Sequence, residues 1–124
     1  MTYKLRASGQ TEDILSRIEK SENIPWPTLM KLALSLSIRQ GSLMELELFS
    51  DNRGRELNRQ TITGEADVFY KCLIELQEGR FIPDNEYFPT YIKAHLDRGA
   101  QLLENEKKYS RDFLVHLAEL DKGI

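Results

Sequence analysis

Ile24-Pro25-Trp26-Pro27-Thr28-Leu29-Met30-Lys31-Leu32-Ala33-Leu34-Ser35-Leu36-Ser37-Ile38-Arg39-Gln40-Gly41 is the stretch whose reading decides the fold. Each proline pushes its predecessor toward an extended conformation, so the pair ends any helix before it, and proline is tolerated in the first turn of the helix after it. The spacing predicts a helix to about Gln40, closed by Gly41. At about 100° per residue, Leu29, Met30, Ala33, Leu34, Leu36 and Ile38 spread apolar surface over roughly 240° of the circumference, against the roughly 100° stripe of a surface helix. Only Thr28, Lys31, Ser35 and Arg39 form a polar strip. One partner helix and a short strand cannot cover so much. Either a second subunit packs here, with Leu29, Met30, Leu34 and Ile38 as contact residues, or the C-terminal helices of the same chain do.

Upstream, Tyr3, Leu5 and Ala7 alternate with Thr2, Lys4, Arg6 and Ser8, and this period of two predicts a short strand with one apolar face. Thr11 is the candidate N-cap of a helix to Glu22, with Glu12 and Asp13 in its first turn and Ile14, Leu15 and Ile18 at helical spacing. The order strand, helix, tight turn, helix over residues 2–41 resembles a ribbon-helix-helix unit, in which two chains pair their strands and the ribbon enters the major groove. In that arrangement Thr2, Lys4 and Arg6 face DNA and Leu5 faces the dimer core. The same alternation also describes a solvated edge strand. Moreover, Pro25-Trp26-Pro27 replaces the Ser, Thr or Asn cap of such units and removes two N–H donors.

Residues 42–64 read as a loop or a short hairpin, with Leu46 and Leu48 alternating against Glu45 and Glu47 and a turn at Ser50-Asp51-Asn52-Arg53-Gly54. A third helix is predicted over Glu65–Glu78, burying Val68, Phe69, Cys72, Leu73 and Leu76 and ending at Gly79. A fourth starts near Asp84, kinks at Pro89 and carries Tyr91, Ile92, His95, Leu96, Leu102 and Leu103. Its Gly99 has its use in a close approach to a neighbouring helix, since mid-helix glycine otherwise costs about 1 kcal/mol. The run Glu104-Asn105-Glu106-Lys107-Lys108 is expected as a charged boundary before a last short helix built on Phe113, Leu114, Leu117 and Leu120. The expected architecture is mainly α: a short N-terminal strand plus about five helices. It is a single domain divided into a ribbon-helix-helix-like unit (1–41), a loop or hairpin (42–64), a helical part (65–104) and a helical extension (105–124).

The 124 residues are 40% apolar and 30% charged, with a net charge of −3, which suits one compact domain with a core of its own. The mild acidity argues against coating nucleic acid by bulk charge. Charge is nevertheless uneven: residues 1–44 carry six basic and four acidic side chains, and residues 63–124 carry eight and twelve. A polyanion contact is therefore expected toward the N-terminus. The start shows no signal-peptide pattern, and the longest apolar run, Leu32–Ile38, is far short of the roughly 20 residues of a membrane span. Cys72 stands alone, so no intrachain disulfide forms and a cytoplasmic location is expected.

No two of the seven glycines are close enough for a phosphate-cradling loop. His95 and His116 lie 21 residues apart on different predicted helices, without zinc spacing. Neither metal, cofactor nor catalysis is expected. Cys72 could be a nucleophile or a sulfur carrier, but its place among Phe69 and Leu76 favours an inert core thiol. His95 reads as a satisfied core or interface histidine in preference to a functional one.

Taken whole, the chain resembles the DndE family of DNA sulfur-modification proteins over about residues 4–104. The likeness is carried by the Leu5–Ile24 segment, Leu29-Met30-Lys31-Leu32-Ala33-Leu34-Ser35-Leu36-Ser37, and Glu56-Leu57-Asn58-Arg59 with Gly64-Glu65. Most specific is Gly64-Glu65 together with Ile92-Lys93-Ala94-His95-Leu96-Asp97-Arg98-Gly99. The resemblance implies a small non-catalytic component of the machinery that replaces a non-bridging phosphate oxygen of DNA by sulfur. It also implies a homo-oligomer, a tetramer, that binds DNA with a preference for nicked duplex. Sulfur mobilisation and ATP-dependent steps then belong to partner proteins: a cysteine desulfurase, an adenine-nucleotide-dependent sulfurtransferase with an iron–sulfur cluster, and an ATPase. The candidate DNA contacts are Lys4, Arg6, Arg17, Lys20, Lys31 and Arg39, ahead of Arg53, Arg55 and Arg59. A sequence-specific ribbon-helix-helix repressor and a protein-only adaptor of the modification complex are the competing readings.

Overall fold

The structure is a computed structural model that describes residues 2–108 and 112–119, with the backbone alone at residue 114. The chain is mainly helical, with one two-stranded antiparallel sheet. Strand β1 (Lys4–Arg6) leads into helix α1 (Gly9–Glu22), and α2 (Trp26–Gln40) follows after the proline turn. The α2 limits agree with the local proline and glycine chemistry: Pro27 lies in the first turn, and Gly41 ends the helix at φ 121°. Helix α1 starts earlier than expected. Its N-cap is Ser8, whose Oγ accepts the Thr11 N–H at 2.9 Å. Thr11 instead lies buried in the first turn, its hydroxyl donating to Asp97 at 2.6 Å.

β1 pairs along one edge with β2 (Glu56–Asn58) of its own chain, in the register Lys4–Asn58, Leu5–Leu57, Arg6–Glu56, a strand that the sequence reading did not place. Leu5 and Leu57 point into the core, and the side chains beside them point out. The hairpin considered at Glu45–Phe49 is absent from that position: Leu46–Phe49 is a 3-10 turn with Leu48 exposed. Asn58 ends β2 and caps the one-turn helix α3 (Arg59–Ile62), accepting the Thr61 N–H at 2.8 Å.

Helix α4 (Asp67–Glu78) follows a 3-10 turn at Gly64–Ala66 and ends at Gly79 (φ 71°), as the sequence predicts, but it is turned the other way round. Tyr70 and Ile74 are buried, whereas Val68, Phe69, Leu76 and Cys72 are exposed and Leu73 is half-buried. The inward side gains hydrogen bonds that an apolar face could not make. Gln77 Nε2 donates to the Ile38 carbonyl at the end of α2, and Glu78 accepts from Ser42 Oγ (2.7 Å) and the Leu43 N–H (3.3 Å). The inert core thiol expected at Cys72 is thus corrected to an exposed one.

The fourth predicted helix is three pieces: α5 (Asp84–Glu86), a π-helical segment (Tyr87–Ile92) and α6 (Lys93–Lys108). Pro89 lacks an N–H and crowds the carbonyl four residues back, and the wider π turn accommodates both. The expected boundary at Glu104–Lys108 is the last turn of α6, not a break. Helix α7 (Phe113–Glu119) folds back, burying Phe113 and setting His116 Nε2 2.5 Å from Glu106. The expected core positions Leu114 (side chain) and Leu120 lie outside the described residues.

Helix α6 packs along α2 and α1 and closes the core. Leu29, Met30 and Leu34 are fully buried and Ile38 nearly so within the single chain. The same-chain cover left open by the sequence is realised for these four residues. A Cβ at Gly99 would stand 1.9 Å from the Ala33 carbonyl oxygen, so only glycine allows this approach of α6 to α2.

Candidate nucleic-acid interface

The six candidate cations are spread over β1, α1 and α2. Arg17, exposed on α1, is engaged by Asp13 (3.1 Å) and Glu104 (2.6 Å). Lys20 is exposed further along the same helix, and Arg39 is exposed at the end of α2, where it lines a shallow depression with Leu36, Leu102 and Glu106. Lys31 is half-buried and donates to the Thr61 carbonyl at 3.3 Å.

Lys4 and Arg6 are different. Both project from the polar face of β1, with Leu5 between them buried. Arg6 Nη1 donates to the Gly54 carbonyl at 2.9 Å, which holds the guanidinium over the 50–55 turn. Gly54 is required there, since a Cβ would lie 2.3 Å from the Ser8 carbonyl oxygen. Among the described residues neither Lys4 nor Arg6 is in an ion pair.

Between this strand face, the 3-10 turn and the π-helical segment runs a groove of about 530 Å³. Lys4, Arg6 and Lys93 supply its positive charge and Glu56 its negative charge; Ser50, Asn52 and Thr90 supply neutral hydrogen-bonding groups. Lys93 is less available than the other two cations. Its Nζ donates to the Asp51 carbonyl and to Asp97 Oδ2, both at 2.6 Å, and its side chain is largely buried. The groove thus offers two cations outside any described ion pair beside hydroxyl and amide groups, the side-chain chemistry that contacts phosphodiester oxygens.

The second basic group is dispersed. Arg53 folds back on Asp51 at 2.9 Å, and Arg55 lies 4.1 Å over the Trp26 ring with Glu12 at 3.5 Å. Arg59 is buried. It donates to Asp67 (Nε 3.0 Å, Nη2 2.7 Å), to Asp84 (Nη1 3.1 Å, Nη2 2.8 Å) and to the Thr2 carbonyl, between the rings of Tyr87 and Phe88. Its guanidinium holds the Asp84 carboxyl down at about 2. Burial pushes the Asp67 carboxyl up, but Arg59, Thr63 and Tyr87 outweigh that and its pKa is lowered. Such a cation is a keystone of the fold and not a DNA contact.

The stretch Ile92–Gly99 proves equally structural. Asp97 Oδ1 accepts from the Ser8 N–H and Thr11 hydroxyl at the start of α1. Arg98 donates to the carbonyls of Ser37 (2.6 Å), Gly41 (2.5 Å) and Ser42 (3.2 Å), satisfying the end of α2. His95 is fully buried with Nδ1 2.7 Å from Ser37 Oγ. Burial, and then the nearby Arg98 charge, lower its pKa to about 3, so the ring is neutral at physiological pH. His95 lies in the core as expected but is not fully satisfied: its buried Nε2 has no hydrogen-bond partner among the described residues. No His/Cys/Asp/Glu group among the described residues is arranged to hold a metal.

A sequence model of the family described as "DNA sulphur modification protein DndE" matches residues 4–111. The chain belongs to the DndE family. The match covers most of the chain and extends to residue 111, past the limit near 104 read from the motifs. Family membership carries involvement in DNA sulphur modification. Comparison with curated proteins returned no match. In this chain the stretches that carry the DndE likeness, Glu56–Arg59 and Ile92–Gly99, lock β2, α1 and α2 together. No helix among the described residues is long and apolar enough to cross a membrane.

The signal for the groove was present in the alternation of Lys4 and Arg6. What residue order did not offer was its other wall, since Phe49, Asn52, Pro89 and Thr90 come from segments 40 or more residues away.

Proposed function

We propose that this chain is a non-catalytic, homo-oligomeric DNA-binding component of the sulphur-modification machinery, a tetramer that holds duplex DNA, with nicked duplex preferred, by its phosphate backbone. Lys4 and Arg6 contact phosphate, and Ser50, Asn52 and Thr90 add neutral hydrogen bonds. Sulfur mobilisation and ATP-dependent steps fall to a desulfurase, a sulfurtransferase and an ATPase. The observation that carries this reading is the pair Lys4 and Arg6, outside any described ion pair, on the rim of an open groove in a DndE-family chain. Several copies turn two cations per chain into an extended positive surface despite the net charge of −3.

Binding of this kind falls with salt, by about 0.9 in the slope of log K against log salt for each phosphate neutralised, and depends little on sequence. Fluorescence anisotropy on nicked and intact duplexes over a salt series tests it. Lys4→Ala and Arg6→Ala are expected to weaken binding on every sequence and to flatten the salt slope. Absence of binding to either duplex at low salt would refute the reading and favour the adaptor. The pairing of β1 with β2 of the same chain occupies one edge of the strand that a ribbon-helix-helix repressor would pair with a second copy. Strong preference for one operator sequence would favour the repressor.

A further inference from the structure

Helix α4 presents an apolar face that the described residues leave uncovered. Val68, Phe69 and Leu76, with Phe81 just beyond the helix, are between 64% and 79% exposed, and Cys72 lies among them. Together the four large side chains expose roughly 550 Å² of apolar surface, at the upper end of what a monomer tolerates. The face has two halves of different shape. Its N-terminal half projects Val68 and Phe69; its C-terminal half is a groove of about 590 Å³ lined by Cys72, Leu76, Phe81 and the side-chain-free Gly79.

We infer that this face is the contact between copies of the chain: two α4 helices pack antiparallel about a two-fold axis through Cys72. A two-fold contact requires one patch to complement itself. Antiparallel pairing centred on residue 72 sets Val68 opposite Leu76 of the second copy, so the projecting half of each helix enters the groove of the other. It also brings the exposed Glu65 opposite Gly79 and beside the exposed Arg80 of the second copy, opposite charges at both ends. Arg80 already reaches Glu86 at 3.0 Å and Tyr91 at 2.9 Å, which holds its guanidinium at that end of the patch. With Cys72, the edges of Leu73 and Gly79 and this polar rim, the area approaches the roughly 800 Å² per partner of a standard interface. The occupant is thus a second copy, since projection, groove and charge all match the same surface reversed.

This rests on the oligomeric part of the proposed function and moves its contact from α2 to α4. The full chain is examined by size-exclusion chromatography with light scattering at micromolar concentration, beside Val68→Glu and Leu76→Glu. Both positions are exposed, so circular dichroism should show the fold retained. The wild type is expected to be oligomeric and each variant to fall to half that mass or less. Facing Cα atoms of helices about 9–10 Å apart lie about 4.5–5.5 Å from each other, within disulfide reach. Diamide should therefore join wild-type chains into a covalent dimer on a non-reducing gel, and Cys72→Ser should abolish it. An oligomer of unchanged mass in both glutamate variants, or one that diamide fails to link, overturns the inference while leaving oligomerisation standing. A monomeric wild type overturns both.

Discussion

Gly99→Ala adds one methyl group where α6 crosses α2, and its effect has a definite sign. By helix propensity alone the change favours folding by about 1 kcal/mol. The new Cβ, however, would stand 1.9 Å from the Ala33 carbonyl oxygen, 2.4 Å from its carbon and 2.9 Å from its Cα. All three are backbone atoms, which cannot swing aside as a side chain can. The helices must part by an ångström or more, and a gap of that size forfeits up to half of the dispersion attraction across it. Overpacking of this kind costs about 1–3 kcal/mol. Parting also stretches the Arg98 bonds to the end of α2, each worth about 1 kcal/mol. Net of propensity, a loss of about 2–4 kcal/mol is expected. At about 2.1 cal/mol/K per residue, this lowers the melting temperature by roughly 8–15 °C. Calorimetry or thermal circular dichroism measures it, with Gly9→Ala in α1 as the control. There the nearest atoms lie 3.9 Å from the added Cβ, and stability should rise by about 0.4–1 kcal/mol. A Gly99→Ala chain as stable as the wild type would refute the close approach.

Further consequences concern the buried polar groups. Because the folded chain keeps His95 near a pKa of about 3 while the unfolded chain takes up a proton near 6.5, stability is lost as pH falls between those values. The loss should approach about 1.4 kcal/mol per pH unit; urea midpoints between about pH 6 and 4 should show a slope near that value, and His95→Gln should flatten it. Arg59→Met leaves Asp67 and Asp84 facing each other without their cation, and denaturant titration should register a loss of about 3–5 kcal/mol at neutral pH. In the wild type the Asp84 contribution is present above about pH 4 and lost as pH falls toward 2; in Arg59→Met that acid limb should disappear. Gly54→Ala drives a Cβ into the Ser8 and Ala7 carbonyls and displaces the acceptor of Arg6, so urea unfolding and duplex binding should both weaken.

The limits of α2, the alternation of β1 and the use of Gly99 were legible in residue order, because proline, glycine and period-two patterning act within a few residues. The resemblance to the DndE family was legible for a related reason: in this chain the stretches that carry it bind elements to one another by hydrogen bonds. Other features depend on what lies opposite, and this is a property of the folded chain. Ser8 caps α1 and not Thr11, since Asp97, 86 residues along, claims the Thr11 hydroxyl. β1 meets β2 across more than fifty residues, and α6 covers α2. Helix α4 carries apolar residues on more than one side, so periodicity could not say which side turns inward. The end of α2 decided it, by offering acceptors and donors to Gln77 and Glu78. Among the cations, only tertiary placement separates the buried Arg59 from Lys4 and Arg6 at the groove, because a charge on a one-dimensional chain carries no record of its neighbours in space.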